Sequence, residues 1–126
     1  MKRIILDTNF LLIPMQFKVD IFSEIERICM FPYELYILDK TVGEIRKIIK
    51  EQSGKSKEAA KVALQLVEKK RLNIVKTSDG KVDDLILSLL DKDTILATQD
   101  ELLIKRAAAK GSQLIMLRSK KYLVIK

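Results

Sequence analysis

Histidine and tryptophan are absent from this 126-residue sequence, and cysteine occurs once, at Cys29. Without imidazole the chain can build neither a Ser-His-Asp triad nor a histidine-centred acid–base pair. A lone cysteine excludes a disulfide and a cysteine-ligated zinc site within one chain, and its place in an apolar helical pattern makes Cys29 a core residue. Four glycines and two prolines leave no room for a low-complexity linker, and no internal repeat is visible. Aromatic residues make up 6% of the chain, too few to encode a base-stacking platform. The N-terminal apolar stretch is broken by Asp7 long before it could span a bilayer, and it lacks signal-peptide architecture. The expectation is a single domain over residues 1–126, cytoplasmic and without membrane attachment.

One further absence is local. From Leu102 to Lys126 there is no acid, while Lys105, Arg106, Lys110, Arg118, Lys120, Lys121 and Lys126 supply seven cations. Lys and Arg total 24 against 17 Asp and Glu, so the rest of the chain balances and this segment carries the whole net charge of +7. Such asymmetry favours a polyanionic partner, although a solvated basic face is the plainer explanation for any one of these side chains. A hydrophobic content of 48% with 33% charged residues fits a folded globular chain.

Strand and helix patterns alternate. Arg3–Leu6, Tyr36–Leu38, Leu72–Val75, Thr94–Ala97, Gln113–Leu117 and Tyr122–Ile125 read as strands. Helical spacing covers Val19–Met30, Thr41–Lys50, Lys57–Lys70, Val82–Leu90 and Asp100–Lys110, with Gly111 as a C-cap. This alternation predicts an α/β fold with a central, mainly parallel β-sheet flanked by helices on both faces. In such a sheet ligands bind beyond the carboxyl ends of the strands, where strand order reverses.

Four acids fall where that rule places a site. Asp7 closes the first strand, Asp100 follows the strand ending near Thr98, and Glu44 and Asp83 stand in the first turns of helices. Each has a local explanation. Thr41-Val42-Gly43-Glu44 has the form of a capping box, Asp100 suits an N-cap, Asp83 or Asp84 complements a helix dipole, and Asp7 fits an Asx-turn. Taken together, four acids brought to one place would repel one another unless a cation intervened. Oxygen-only donors suit Mg²⁺ or Mn²⁺, and the chemistry then implied is metal-assisted attack of water on a phosphodiester.

Leu6-Asp7-Thr8-Asn9-Phe10, Thr41-Val42-Gly43-Glu44-Ile45, Val82-Asp83-Asp84-Leu85-Ile86 and Ala97-Thr98-Gln99-Asp100, in this order and spacing, resemble the PIN-domain ribonucleases over nearly the whole chain. Within that family the sequence is most similar to the FCF-type branch associated with small-subunit rRNA processing. That likeness rests on Lys18-Val19-Asp20 after the first motif, Ala60-Lys61-Val62-Ala63-Leu64 before Arg71-Leu72, and Leu102–Arg106 before Ile115-Met116-Leu117. The resemblance implies a PIN-like domain, Mg²⁺- or Mn²⁺-dependent cleavage of RNA, and Asp7, Glu44, Asp83 and Asp100 as metal-binding and catalytic acids.

The family pattern favours Asp83, with Asp84 as the alternative, since successive helical residues diverge by about 100°. Thr8, Asn9 and Thr98 would orient carboxylates or water. Lys105, Arg106, Lys110, Arg118, Lys120 and Lys121 are the candidate RNA contacts. Many members carry a further acid two residues beyond the Asp100 equivalent, but here that position is Leu102, which leaves one metal or two open. The alternatives are a PIN-fold RNA-binding module with little or no catalysis in a ribosome-assembly complex, and a VapC-like toxin held by an antitoxin partner. Homodimerisation is also expected from the family.

Overall fold

The structure, a computed structural model, describes residues 1–126. Six strands, β1 (Lys2–Leu6), β2 (Tyr33–Leu38), β3 (Asn73–Val75), β4 (Thr94–Ala97), β5 (Gln113–Arg118) and β6 (Tyr122–Ile125), form one sheet in the order β3-β2-β1-β4-β5-β6. All neighbours pair in parallel except β5 and β6, which form an antiparallel hairpin. The mainly parallel sheet expected from the alternation is therefore present.

Seven helices connect the strands: α1 (Thr8–Leu11), α2 (Ile13–Phe17), α3 (Ile21–Ile28), α4 (Asp39–Glu51), α5 (Gly54–Lys69), α6 (Val82–Leu89) and α7 (Glu101–Ala109). Strand alternation divides the core between the two faces. Ile4, Leu6, Ile37, Ile95, Ala97 and Ile115 pack with residues from α1 to α5, whereas Ile5, Leu38, Leu96 and Leu114 pack with α6 and α7. The central strands are buried on both sides, which is why β4 reads Thr-Ile-Leu-Ala with all four residues buried.

Three boundaries differ from the sequence expectation. Residues 8–17 hold α1 and α2, which are four and five residues long and so too short to show a helical period. Helix α4 begins at Asp39, directly after β2, with Leu38 as N-cap. Thr41 therefore lies inside the first turn, fully buried with its hydroxyl unpaired, and the Thr41–Glu44 capping box does not form. Helix α5 resumes at Gly54, whose φ of +63° lets the chain turn sharply after Glu51. Gly111 follows the C-cap Lys110 of α7 with a φ of +78°, as its proposed capping role requires.

The outer edge of β6 is covered. Glu24 of α3 accepts a hydrogen bond from the Leu123 amide at 3.0 Å, and Arg27 donates to the Leu123 carbonyl at 3.2 Å. These two side chains occupy a donor and an acceptor that another strand would otherwise use.

Candidate active site at the carboxyl edge of the sheet

The order β3-β2-β1-β4-β5 reverses direction between β1 and β4, so a crevice opens beyond the carboxyl ends of these two strands. Asp7 stands at that point. Its amide donates to the Ala97 carbonyl at 3.0 Å, extending the β1–β4 ladder by one bond, and its own carbonyl accepts from Phe10 and Leu11 to start α1. The carboxylate caps the same helix: Oδ1 accepts from the Thr8 amide at 2.8 Å, and Oδ2 accepts from the Thr98 hydroxyl at 2.9 Å. The Asx-type turn and the site position are thus properties of one side chain.

Asp7 is 7% exposed. Burial raises its carboxyl above the ordinary value, the Thr98 and Thr8 hydrogen bonds oppose the rise, and the charges of Asp83 and Glu44 add to it. Asp83, half-buried in the first turn of α6, is raised by burial first and then by the charge of Asp100, with Arg106 pulling the other way. Asp84 is exposed and forms a 2.7 Å ion pair with Arg106. Asp83 and Asp84 are therefore in different environments: one senses the other acids, while the other is paired outward.

Thr8 and Thr98 orient further carboxyl groups. The Thr8 hydroxyl donates to Glu44 Oε1 at 2.7 Å, linking α1 to the second turn of α4. The Thr98 hydroxyl accepts from the Asp100 amide at 3.1 Å, while Asp100 Oδ1 caps α7 by accepting from the Leu103 amide at 3.0 Å. Asn9 touches no carboxylate by a hydrogen bond within this set. Its side-chain oxygen accepts from the Gln99 amide at 3.4 Å, and its carbonyl accepts from Gln99 Nε2 at 3.0 Å, so it braces the turn after β4. Gln99 was not singled out from sequence; its only signal is its place between Thr98 and Asp100.

The donor set is oxygen alone, and the like-charge coupling runs Glu44–Asp7–Asp83–Asp100. That chemistry fits a hard divalent cation. In this arrangement no three of the acids are grouped closely enough to ligate one ion. The flanking space is open: a cavity of about 400 Å³ beside Glu44 is lined by Thr8, Lys47, Ile48, Glu51 and Gln52.

The candidate RNA-contacting cations separate in space. Strand β5 last pairs with β4 at Ala97↔Ile115, then continues with β6 alone through Arg118↔Tyr122. The three residues beyond Ile115 carry the hairpin about 10 Å past the pairing at Ala97, on the edge where Asp7 lies. Arg118, Lys120 and Lys121 occupy its tip, exposed and without a salt bridge. Ser119 and Lys120 both take left-handed backbone angles, with φ of 55° and 54°, and the Lys120 ammonium lies 6.0 Å from the Phe17 ring centroid. Lys105 and Arg106 lie along α7. Lys110 terminates that helix at the opposite edge and donates to the Leu87 carbonyl, so it stands apart from the acids.

This is a doubly wound α/β fold with an acidic crevice at its switch point. The sequence profile of the family described as a PIN like domain matches residues 4–120, and the chain belongs to that family. It is 30% identical to Ribonuclease VapC4 of Methanocaldococcus jannaschii, an alignment covering 99% of this chain and 97% of the relative. Among solved structures it superposes on the PIN domain endonuclease Utp24 with a TM-score of 0.78 at 19% identity, covering 98% of this chain and 90% of that one. A domain of a functionally unknown protein from M. jannaschii DSM 2661 follows with a TM-score of 0.59 at 18% identity, over 94% and 93% of the two chains. These two likenesses show the fold.

The buried charge at Asp7 has a measurable consequence. Because its folded-state carboxyl is raised, folding favours the protonated form, and the associated stability is lost as pH rises from the ordinary value of 3.8 through the folded one. Asp7→Asn removes this loss. In EDTA at neutral pH the variant should unfold at a higher urea concentration than the parent, with the difference shrinking towards about pH 3, where both side chains are neutral.

Proposed function

We propose that the chain is a divalent-metal-dependent endoribonuclease in which Asp7, Glu44, Asp83 and Asp100 hold Mg²⁺ or Mn²⁺. The observation that carries this reading is the raised, buried carboxyl of Asp7 at the switch point, coupled to acids from α4 and α6. Burying such a group among like charges costs stability unless a cation compensates. When bound, the ion supplies activation of water and neutralisation of the charge that develops on the phosphoryl oxygens.

The chain's own groups do the positioning. Thr98 and Thr8 each fix one oxygen of Asp7, and the Thr8 hydroxyl also fixes Glu44. Asp100 is held between the Thr98 hydroxyl and the Leu103 amide. Asp83 approaches from α6, and the Arg106–Asp84 pair keeps the neighbouring carboxylate directed elsewhere. The exposure of Glu44 and the open flanking cavity suit an extended polymer better than an enclosed small molecule.

An RNA substrate is supported by the net charge of +7 and by the hairpin cations overhanging the acidic edge. A cytoplasmic setting and a precursor rRNA go with the FCF-type sequence likeness. The relationship to Ribonuclease VapC4 favours a second reading of the same chemistry, a VapC-like ribonuclease toxin held by an antitoxin partner, with homodimerisation as in other family members. Growth arrest on overexpression, relieved by a neighbouring gene product, would select the toxin reading; harmless overexpression with accumulating pre-rRNA on depletion would select processing.

Cleavage of structured RNA should require Mg²⁺ or Mn²⁺, and Asp7→Asn should lower it by at least ~10²-fold with the circular dichroism spectrum unchanged. Equal cleavage in excess EDTA would overturn the mechanism. Tight RNA binding with no turnover in the parent would instead identify a non-catalytic binding module.

The hairpin contributes through phosphate contacts. Replacing Lys120 and Lys121 with Ala should weaken RNA binding and reduce the slope of log K against log salt by about 1.5 in magnitude. The same change at Lys110 should leave that slope unaltered, since Lys110 lies at the far end of α7.

A further inference from the structure

The β2–β3 ladder ends at Leu38↔Val75, and immediately beyond it the polar side chains of Asp39, Lys40 and Thr77 take over the pairing. The Thr77 hydroxyl donates to Asp39 Oδ1 at 2.7 Å, and the Thr77 amide approaches Asp39 Oδ2 at 3.3 Å. That hydroxyl also accepts from the Lys40 ammonium at 2.7 Å, which donates again to the Ser78 carbonyl at 2.6 Å. One hydroxyl thus bridges a carboxylate and an ammonium, each bond charge-assisted. The Thr77 contacts keep the Asp39 carboxyl below its ordinary value, consistent with a carboxylate that stays charged in this arrangement.

Besides these contacts, the segment is held by the short β2–β3 ladder and by a 3.1 Å bond from the Asn73 side chain to the Leu35 carbonyl. Strand β3 is three residues long, lies at the sheet edge, and exposes Ile74. Beyond Ser78 the chain passes Gly80 and enters α6, where Asp83 stands in the first turn. On the other side, Asp39 and Lys40 are the first two residues of α4, the helix that carries Glu44. The contacts therefore join the root of the Glu44 helix to the loop that delivers Asp83.

We propose that Asp39, Lys40 and Thr77 form a positioning latch that sets Asp83 relative to Glu44 and Asp7 for metal binding. This rests on the reading of the four acids as a metal site. None of the three touches the acids, so their action is through the placement of α6. Ile86 and Leu87 seat α6 in the core, and the polar contacts fix the loop that leads into its first turn, where Asp83 stands. Removing partners that orient metal ligands typically lowers metal affinity about 10–100-fold.

The test uses the full chain with Mn²⁺ as the probe, its free concentration followed by electron paramagnetic resonance. Thr77→Val should weaken Mn²⁺ binding by about tenfold or more while remaining folded, and should speed amide exchange over the β3–α6 loop and the first turn of α6. Thr77→Ser, which restores the hydroxyl, should return both to parental values. Lys40→Met should reproduce the Thr77→Val effect by a different deletion, and serves as the measured variant if Thr77→Val does not fold. Parental Mn²⁺ affinity in the folded deletion variant, alongside loss of binding in Asp7→Asn, overturns the latch and leaves the metal site standing. Absence of Mn²⁺ binding in the parent overturns the metal site and the latch with it.

Discussion

The structure turns on the Asp7 carboxylate, held between a backbone amide of its own helix and the hydroxyl of Thr98 from the adjacent strand end. Its main chain closes the β1–β4 ladder and opens α1, so the residue cannot leave the switch point without unpicking both. That rigidity places an ionisable group in a poorly solvated position, where like charges from Asp83 and Glu44 raise its carboxyl further. Two hydrogen bonds offset part of the cost, each worth about 1.5–3 kcal/mol when made to a charged group. The remainder is a cost that a bound cation would relieve.

Much of the fold was legible because a parallel sheet imposes a strong code. Central strands must be apolar on both faces, which is why Arg3–Leu6 and Thr94–Ala97 were visible as strands, and helices between them must show one apolar stripe. The helices at residues 8–17 escaped because a single turn has no period to detect. The start of α4 was misplaced for a different reason. Thr41, Ile45, Ile48 and Ile49 mark the inward face, and Thr41 combined that spacing with the letters of a capping box; its complete burial shows that it belongs to the stripe. A polar residue on an apolar stripe carries two meanings in sequence, and only packing distinguishes them.

Three of the four acids stand at element ends, Asp7 after β1, Asp100 as the N-cap of α7 and Asp83 in the first turn of α6, which made them visible as candidates; Glu44 lies in the second turn of α4. Their individual environments were not visible. The contrast between Asp83 and Asp84 depends on Arg106, which lies 22 residues from Asp84 on another helix. Gln99 bracing Asn9 and Thr77 bridging Asp39 and Lys40 are likewise contacts between segments far apart in the chain. Local pattern reports which residue types stand at an edge; pairing across the edge depends on the register of strands and the pitch of helices, which the pattern leaves free.

The two ends of the sheet are finished by opposite devices, and this divides labour across the molecule. At β6 the exposed ladder groups of Leu123 are taken by Glu24 and Arg27 of α3, a closure that ties the hairpin to the large core. At β3 the ladder is simply short, and polar contacts after its last pair hold the chain that leads to Asp83. The β6 end carries the exposed cations of the hairpin tip and is braced from the side by α3. The β3 end leads to Asp83, whose carboxyl is raised by burial and by the charge of Asp100, so like charge opposes a closer approach to the other acids. The two kinds of anchor are complementary: Ile86 and Leu87 hold α6 in the core, while the few charge-assisted bonds before it fix the direction from which the chain enters the helix.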